Sequence, residues 1–289
     1  MYAAYPSHAS QPPQVPIRPD LPQCIGAQNH VTYYVSPVTI YLITIYLLPF
    51  TSSLHHLPLK YRHLFFDLDH TLWDFEANAD ETLRHLFELH ELGRYGTFTA
   101  EEFIRVYSDI NHGLWRLYQG GKITQQQLRA TRFPRTFVKL GLTEADAPAE
   151  MSGQFTDLLP HKTAVFPYTY EVLDYLRDKG YVLHLITNGF KEIQYVKLNS
   201  ARLTDYFREI VTSECCGHLK PDARIFRHAL ERSGATAPES LMIGDNLECD
   251  VLGAYNAGID QVYFNPEKRR HLAQTTYEIS CLSELKNIL

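Results

Sequence analysis

The sequence lacks a cysteine framework. Its five cysteines (Cys24, Cys215, Cys216, Cys249 and Cys281) are odd in number, two are adjacent, and none forms a CxxC spacing. This excludes a small disulfide-stapled scaffold and the thiolate metal sites that need such spacing, so the thiols are read as reduced, in a cytoplasmic protein. Histidine is present fourteen times but never as HxH or HExxH, which excludes the common zinc motifs. There is no excess of positive charge. A formal net charge of -6 disfavours a nucleic acid polymer as partner, although a local pocket can still hold a single phosphate. Uninterrupted apolar runs of membrane-spanning length are missing as well. Val38 to Leu48 is an apolar run of eleven residues between Pro37 and Pro49, against the roughly 20 a spanning helix needs.

Residues 21–59 contain no Asp, Glu, Lys or Arg, and residues 1–20 are rich in Pro, Ser and Ala. Such a stretch is unlike a soluble domain, and residues 1–60 are set apart as a non-globular extension. Three readings stand for it: a disordered extension, an over-extended start, or a membrane anchor through residues 31–50, where the apolar run extended back to Val31 reaches a marginal length. No basic segment opens the chain and no small-residue cleavage site follows the run, which argues against a secretory signal. After Met1 the next methionine is Met151, inside the regular part of the chain, which motivates the second reading. The expectation is a protein without membrane attachment, the anchor being the alternative.

From Tyr61 the pattern becomes regular. His63 to Asp67, Tyr181 to Thr187 and Ser240 to Asp245 are short apolar runs that end in polar loops, and Ile210 to Thr212 and Gln261 to Phe264 supply two more strands. Amphipathic segments lie between them at Glu171 to Lys179, Glu192 to Leu203, Ala223 to Ser233 and Glu248 to Ala257, several stopped by glycine. Alternation of this kind predicts an α/β fold with a Rossmann-like parallel sheet covered by helices on both faces, its site beyond the carboxyl ends of the strands. Residues 76–161 interrupt the alternation with four helical stretches near 77–92, 99–118, 124–140 and 145–159, a helical bundle inserted after the first strand. The expected organisation is a catalytic core over 61–75 and 162–289 and a helical cap over 76–161. A cap beside the reactive loop excludes water and selects substrates.

Four loops carry the chemistry. Asp67-Leu68-Asp69 places two carboxylates two residues apart past a strand end. One of them, held beside a cation and a lysine, stays ionised and can attack phosphorus; the other can carry a proton for the leaving group if its pKa is raised. Asp67 suits attack and Asp69 proton transfer, the alternative being a turn with an aspartate cap. Thr187-Asn188-Gly189 offers a hydroxyl, an amide and a glycine as a phosphate cradle, or an ordinary turn. Lys220 before Pro221 is a cation for phosphate and nucleophile, or a solvated surface lysine, with Pro221 expected at the first helical position. Asp245 and Asp250, five residues apart in GDNLECD, suit a hard oxygen-loving cation.

Together and in this order, the four loops resemble the motifs of the haloacid dehalogenase superfamily: DLDHTL the first, ITN the second, KP the third and GDNLECD the fourth. The resemblance spans roughly residues 61–289, and the insert is similar to the family's first type of cap. It implies an aspartyl-phosphate on Asp67, Asp69 as acid and base, and Thr187, Asn188 and Lys220 around the phosphoryl group. It also implies Mg2+, with Mn2+ able to substitute, on Asp67, the Asp69 carbonyl and Asp245, supported by Asp250. True dehalogenases of the superfamily lack the second aspartate, so Asp69 favours phosphate ester hydrolysis. The stretch from Trp115 to Thr124, Arg132-Phe133 and Ile186 to Phe190 resemble the house-cleaning pyrimidine 5'-nucleotidases, which implies a nucleoside monophosphate substrate. Trp115 and Tyr118 then either contribute substrate specificity or pack the cap bundle at i and i+3. A phosphatase or mutase of small sugar phosphates or phosphoglycolate, and a non-catalytic binding protein on the same fold, are the alternatives.

Overall fold

A computed structural model describes residues 60–289; the readings made for residues 1–59, the anchor at 31–50 included, lie outside the described residues. Six strands form one sheet: β1 (His63–Phe66), β2 (Val182–Thr187), β3 (Glu209–Thr212), β4 (Ser240–Gly244), β5 (Asp260–Phe264) and β6 (Tyr277–Ile279). Their order is β3-β2-β1-β4-β5-β6, and every neighbouring pair is parallel. The first strand thus sits at the centre, with Phe66 in register with Leu185 on one side and Ile243 on the other.

The continuous apolar runs reflect burial on both faces. Leu64, Phe66, Leu183, Leu185, Leu241 and Ile243 point into one core layer, where helix α5 (Thr169–Asp178) contributes Val172, Leu173 and Leu176. Phe65, Ile186 and Met242 point into the other, against Ile225, Phe226 and Ala229 of α8 (Ala223–Ser233). Helix α6 (Lys191–Ser200) follows β2, the short α7 (Ser213–Cys216) follows β3, and α9 (Gly253–Asn256) precedes β5. The expected two-sided parallel sheet is what forms.

The insert after β1 is all helical: α1 (Phe75–Leu89), α2 (Ala100–Gln119), α3 (Gln125–Lys139) and α4 (Met151–Leu158). Thr99 and Thr124 cap α2 and α3, the latter in a reciprocal capping box with Gln127. The cap is tied to the core at its two entry strands. Trp73 pairs with Val165, and the Asn78 carboxamide donates to Asp74 O and Ala164 O while accepting from Ala164 N.

The structure corrects three local expectations and adds a strand. The stretch at 145–159 is a single turn at Glu144–Asp146 followed by α4 from Met151, because Pro148 holds Ala147 extended. The stretch at 248–257 opens as a π-helical turn over Leu247–Leu252 before α9. Asp222, whose carboxylate accepts from Arg224 N, caps α8, so Pro221 precedes the cap instead of opening the helix. Strand β6, three residues long, had no sequence signal of its own.

Candidate active site

Asp67, Asp69, Thr187, Asn188, Lys220, Asp245 and Asp250 all lie at or beyond the carboxyl ends of strands β1 to β4, Lys220 after the edge strand β3, and all line one cleft of about 1020 Å³ between core and cap. Asp67 follows β1 directly, its N–H donating to Ile243 O at 2.9 Å. The chain then turns tightly, with Leu68 O accepting from the N–H groups of Leu72 and Trp73. Thr71, fully buried in this turn, donates to Asp245 Oδ1 at 3.2 Å and so joins the first loop to the fourth.

Lys220 is the hub. Only 2% exposed, its ammonium donates to Asp67 Oδ1 at 2.6 Å, Asp250 Oδ1 at 2.6 Å and Ile186 O at 2.8 Å, which uses all three hydrogens. Asn188 fixes the lysine backbone from both sides: its Oδ1 accepts from Lys220 N at 2.7 Å and its Nδ2 donates to Lys220 O at 2.9 Å. The carboxamide expected to face a phosphate is therefore spent on positioning Lys220. Thr187 Oγ1 accepts from Gly189 N at 3.0 Å, an arrangement that leaves its own proton to donate.

The π-helical turn brings Asp250 back over the end of β4, where its Oδ2 accepts from Asn246 N at 3.0 Å. Glycine at 244 is required here, because a Cβ would fall inside the Asp250 carboxylate. Asp67, Asp245 and Asp250 then offer carboxylate oxygens that lie within 4.8 Å of one another. Burial is the largest influence on Asp67 and pushes its pKa up to about 7; Lys220 opposes the shift and Asp250 adds to it. Burial, with Asp250 and Asp67 close by, also holds Asp245 well above the usual carboxylate range. Fully ionised, the three carboxylates would carry two more negative charges than Lys220 balances, which is why burial holds protons on Asp67 and Asp245 in the free site. A hard divalent cation with oxygen ligands fits this donor set in charge and in chemistry.

Asp69 turns away from that group. Its Oδ1 accepts from Lys197 Nζ at 2.6 Å and its Oδ2 from Gln194 Nε2 at 2.9 Å. Burial favours the neutral acid, but Lys197 and Gln194 together outweigh it and hold Asp69 below its ordinary range. The order of acidities is thus the reverse of the sequence expectation. Both aspartates are buried against a lysine: for Asp67 burial, with Asp250 adding to it, outweighs Lys220 and makes it the weaker acid, whereas for Asp69 Lys197 and Gln194 outweigh burial and make it the stronger one. Lys197 is 3% exposed and lies over the Trp73 ring at 4.3 Å. Gln194 reaches Asp69 through the space a side chain at Gly189 would fill.

Sequence reasoning missed both residues. A signal existed: Gln194 and Lys197 share with Leu198 the buried stripe of α6, where polar side chains are out of place. At the cap boundary, Trp115 stacks on Phe190 with centroids 5.5 Å apart and planes at 26°, and Tyr118 meets the same ring edge-on at 5.6 Å. The two aromatics neither pack only within the cap nor stand free. They seat the cap on the loop after β2, and Trp115 alone of the pair lines the cleft.

The family model for haloacid dehalogenase-like hydrolases matches residues 61–258. The pyrimidine 5'-nucleotidase PynA of Streptococcus pneumoniae is 34% identical, covering 79% of this chain and 97% of its own. The pyrimidine 5'-nucleotidase YjjG of Escherichia coli is 33% identical, covering 80% and 99%. Among solved structures, the HAD-hydrolase YfnB of Bacillus subtilis, in a crystal form bound to magnesium, superposes with a TM-score of 0.70 at 31% identity, covering 79% of this chain and 98% of that one. Among the described residues no helix is long and apolar enough to cross a membrane.

Proposed function

Because the chain belongs to the haloacid dehalogenase-like hydrolases, we propose that it hydrolyses pyrimidine nucleoside 5'-monophosphates through an aspartyl-phosphate on Asp67, with Mg2+ as cofactor. The observation that carries the chemistry is the buried Asp67–Lys220–Asp250 network at the mouth of the central strand. The nucleotide reading rests on the likeness over almost their full length to two relatives named for that activity.

Asp67 uses Oδ1 on Lys220, which leaves its second oxygen to attack phosphorus. As that O–P bond forms, the bond from phosphorus to the ester oxygen breaks, and Asp69 delivers a proton to the leaving alkoxide. In the second half, water attacks phosphorus, Asp69 takes its proton, and the phosphoryl bond to Asp67 breaks to release phosphate. The Thr187 hydroxyl donates to a phosphoryl oxygen, and Asn188 keeps Lys220 in place throughout. Asp67, the Asp69 carbonyl and Asp245, with Asp250 in support, would hold Mg2+, or Mn2+ in its place, and the bound cation would supply positive charge against the phosphoryl oxygens and favour the ionised form of Asp67. A dianionic phosphate beside Asp69 raises its proton affinity, so ligand binding inverts the acidity order of the free site and matches each aspartate to its role.

The test is phosphate release, with Mg2+ and with EDTA, from UMP, dTMP, purine monophosphates, phosphoglycolate and hexose phosphates. Metal-dependent preference for the pyrimidine nucleotides is expected. Preference for the sugar phosphates or phosphoglycolate would keep the mechanism and remove the nucleotidase assignment.

A further inference from the structure

The cap wall of the cleft holds two buried polar side chains that lack the partners their chemistry requires. Asn111 sits on the buried stripe of α2 with Phe103, Tyr107 and Leu114, where an apolar residue is the ordinary occupant. It is 2% exposed, lines the cleft, and its Oδ1 has no hydrogen-bond partner. Arg132 of α3 lines the same cleft and is 7% exposed. Its Nη2 donates to Ser152 O at 3.1 Å and Thr156 Oγ1 at 2.6 Å, its Nε makes no hydrogen bond although the buried and likewise unpaired Tyr107 hydroxyl lies beside the guanidinium, and among the described residues no carboxylate pairs with it.

Packing does not explain this pair. Arg132 lies over the Phe155 ring at 4.6 Å, a contact that an apolar side chain would make without burying a charge. A buried guanidinium with no ion partner is among the least favourable arrangements a core can hold, and an unmatched carboxamide beside the same cleft adds to the cost. Both are accounted for if the missing partner arrives with the substrate. An anionic group would satisfy Arg132 and leave Asn111 unmatched. A ring carbonyl next to a ring nitrogen satisfies both, since guanidinium only donates and a carboxamide donates and accepts.

We infer that Asn111 and Arg132 form the subsite that reads the base, Arg132 donating to the C2 carbonyl of a pyrimidine and Asn111 pairing with the adjoining N3 edge. The inference rests on the nucleotide reading proposed above and deepens it. Uracil-type and cytosine rings both present a C2 carbonyl beside N3, and the Asn111 carboxamide matches either by turning over. Adenine has no ring carbonyl and leaves Arg132 unsatisfied. Trp115, one turn beyond Asn111 on α2, places an aromatic side chain in the same cleft.

The experiment compares kcat/KM for UMP, CMP, AMP and ribose 5-phosphate, which has the same leaving oxygen and no base, in the full chain with Mg2+. It uses Asn111→Leu and Arg132→Met, each with its melting temperature. The ratio of UMP to ribose 5-phosphate should fall about 10- to 100-fold in each variant, with melting temperatures no lower than that of the parent protein. An unchanged ratio, or parallel loss of both activities with a lowered melting temperature, would assign the pair to cap packing and overturn the inference. A parent protein that releases phosphate from ribose 5-phosphate and not from UMP would instead remove the nucleotidase reading, and the subsite with it.

Discussion

The core face of the cleft and its cap wall handle polarity in opposite ways. On the core side the charged groups are interlocked: Lys220 with Asp67 and Asp250, Lys197 with Asp69, and Asn188 with the Lys220 backbone. On the cap side Arg132 Nε and Asn111 Oδ1 stand without partners. A self-contained network suits chemistry that is the same for every phosphate ester, whereas an incomplete one suits recognition of the part that differs between esters. The core is short of the positive charge that its three converging carboxylates call for, and Gln194 Oε1 is the one side-chain atom of its network that stands without a partner among the described residues.

The largest expected effect tests the core side. Asp67→Asn should lower kcat by at least about 10^4-fold for every ester, because no other group in the cleft can replace the nucleophile. A loss confined to nucleotides would break the division between chemistry and recognition. Lys197→Met comes next: it leaves Asp69 without its cation and free to reorient, and should cost about 10²-fold in kcat with little change in the ranking of substrates. If the ranking changes as well, Lys197 belongs to recognition. Gly189→Ala probes the same contact through packing, since the added methyl displaces Gln194 from Asp69. It should lower stability by about 1–3 kcal/mol, measurable by urea denaturation, with a smaller loss of rate than Lys197→Met.

The smallest effect keeps stability apart from catalysis. His184, fully buried in β2, stacks between His63 and Phe65 with centroids at 5.3 and 4.8 Å. Burial, with His63 and Arg208 adding to it, pushes its pKa down to about 3. The unfolded chain takes up this proton near the ordinary value of about 6.5, so protonation favours unfolding. Stability should be complete above about pH 6.5 and fall by about 1.4 kcal/mol per pH unit toward pH 3. His184→Leu should flatten that slope in denaturation curves and leave the cap's substrate ranking as it was. A slope unchanged by the substitution would place the acid sensitivity elsewhere.

The parts of the fold and site that were legible in the sequence share one property: local signals specify them. A buried parallel strand is an apolar run, and the polar residues that end such runs fall at the same edge of the sheet. Asp67, Asp69, Thr187 and Asp245 could therefore be placed at one edge of the sheet from local signals, whereas Lys220 joined them only through the resemblance of the four motifs taken together. Lys197 and Gln194 escaped because their role depends on which face α6 buries and on the space left by Gly189. Asn188 was placed correctly but matched to the wrong partner, since nothing local shows that the Lys220 backbone passes alongside it. The cap wall was illegible for a related reason. Arg132 entered only through the resemblance that Arg132-Phe133 carries, with no role attached, and Asn111 read as an ordinary polar residue on an amphipathic helix until the packing shows both turned inward.

The account centres on covalent attack by Asp67, and the most direct measurement is the mass of the Asp67-containing peptide after acid quench of a reaction with UMP and Mg2+. It is best made in Asp69→Asn, where release of the intermediate is slowed. One phosphoryl group on Asp67 is the predicted result. Continued phosphate release with that peptide unmodified, or a phosphoryl group on another residue, would contradict it.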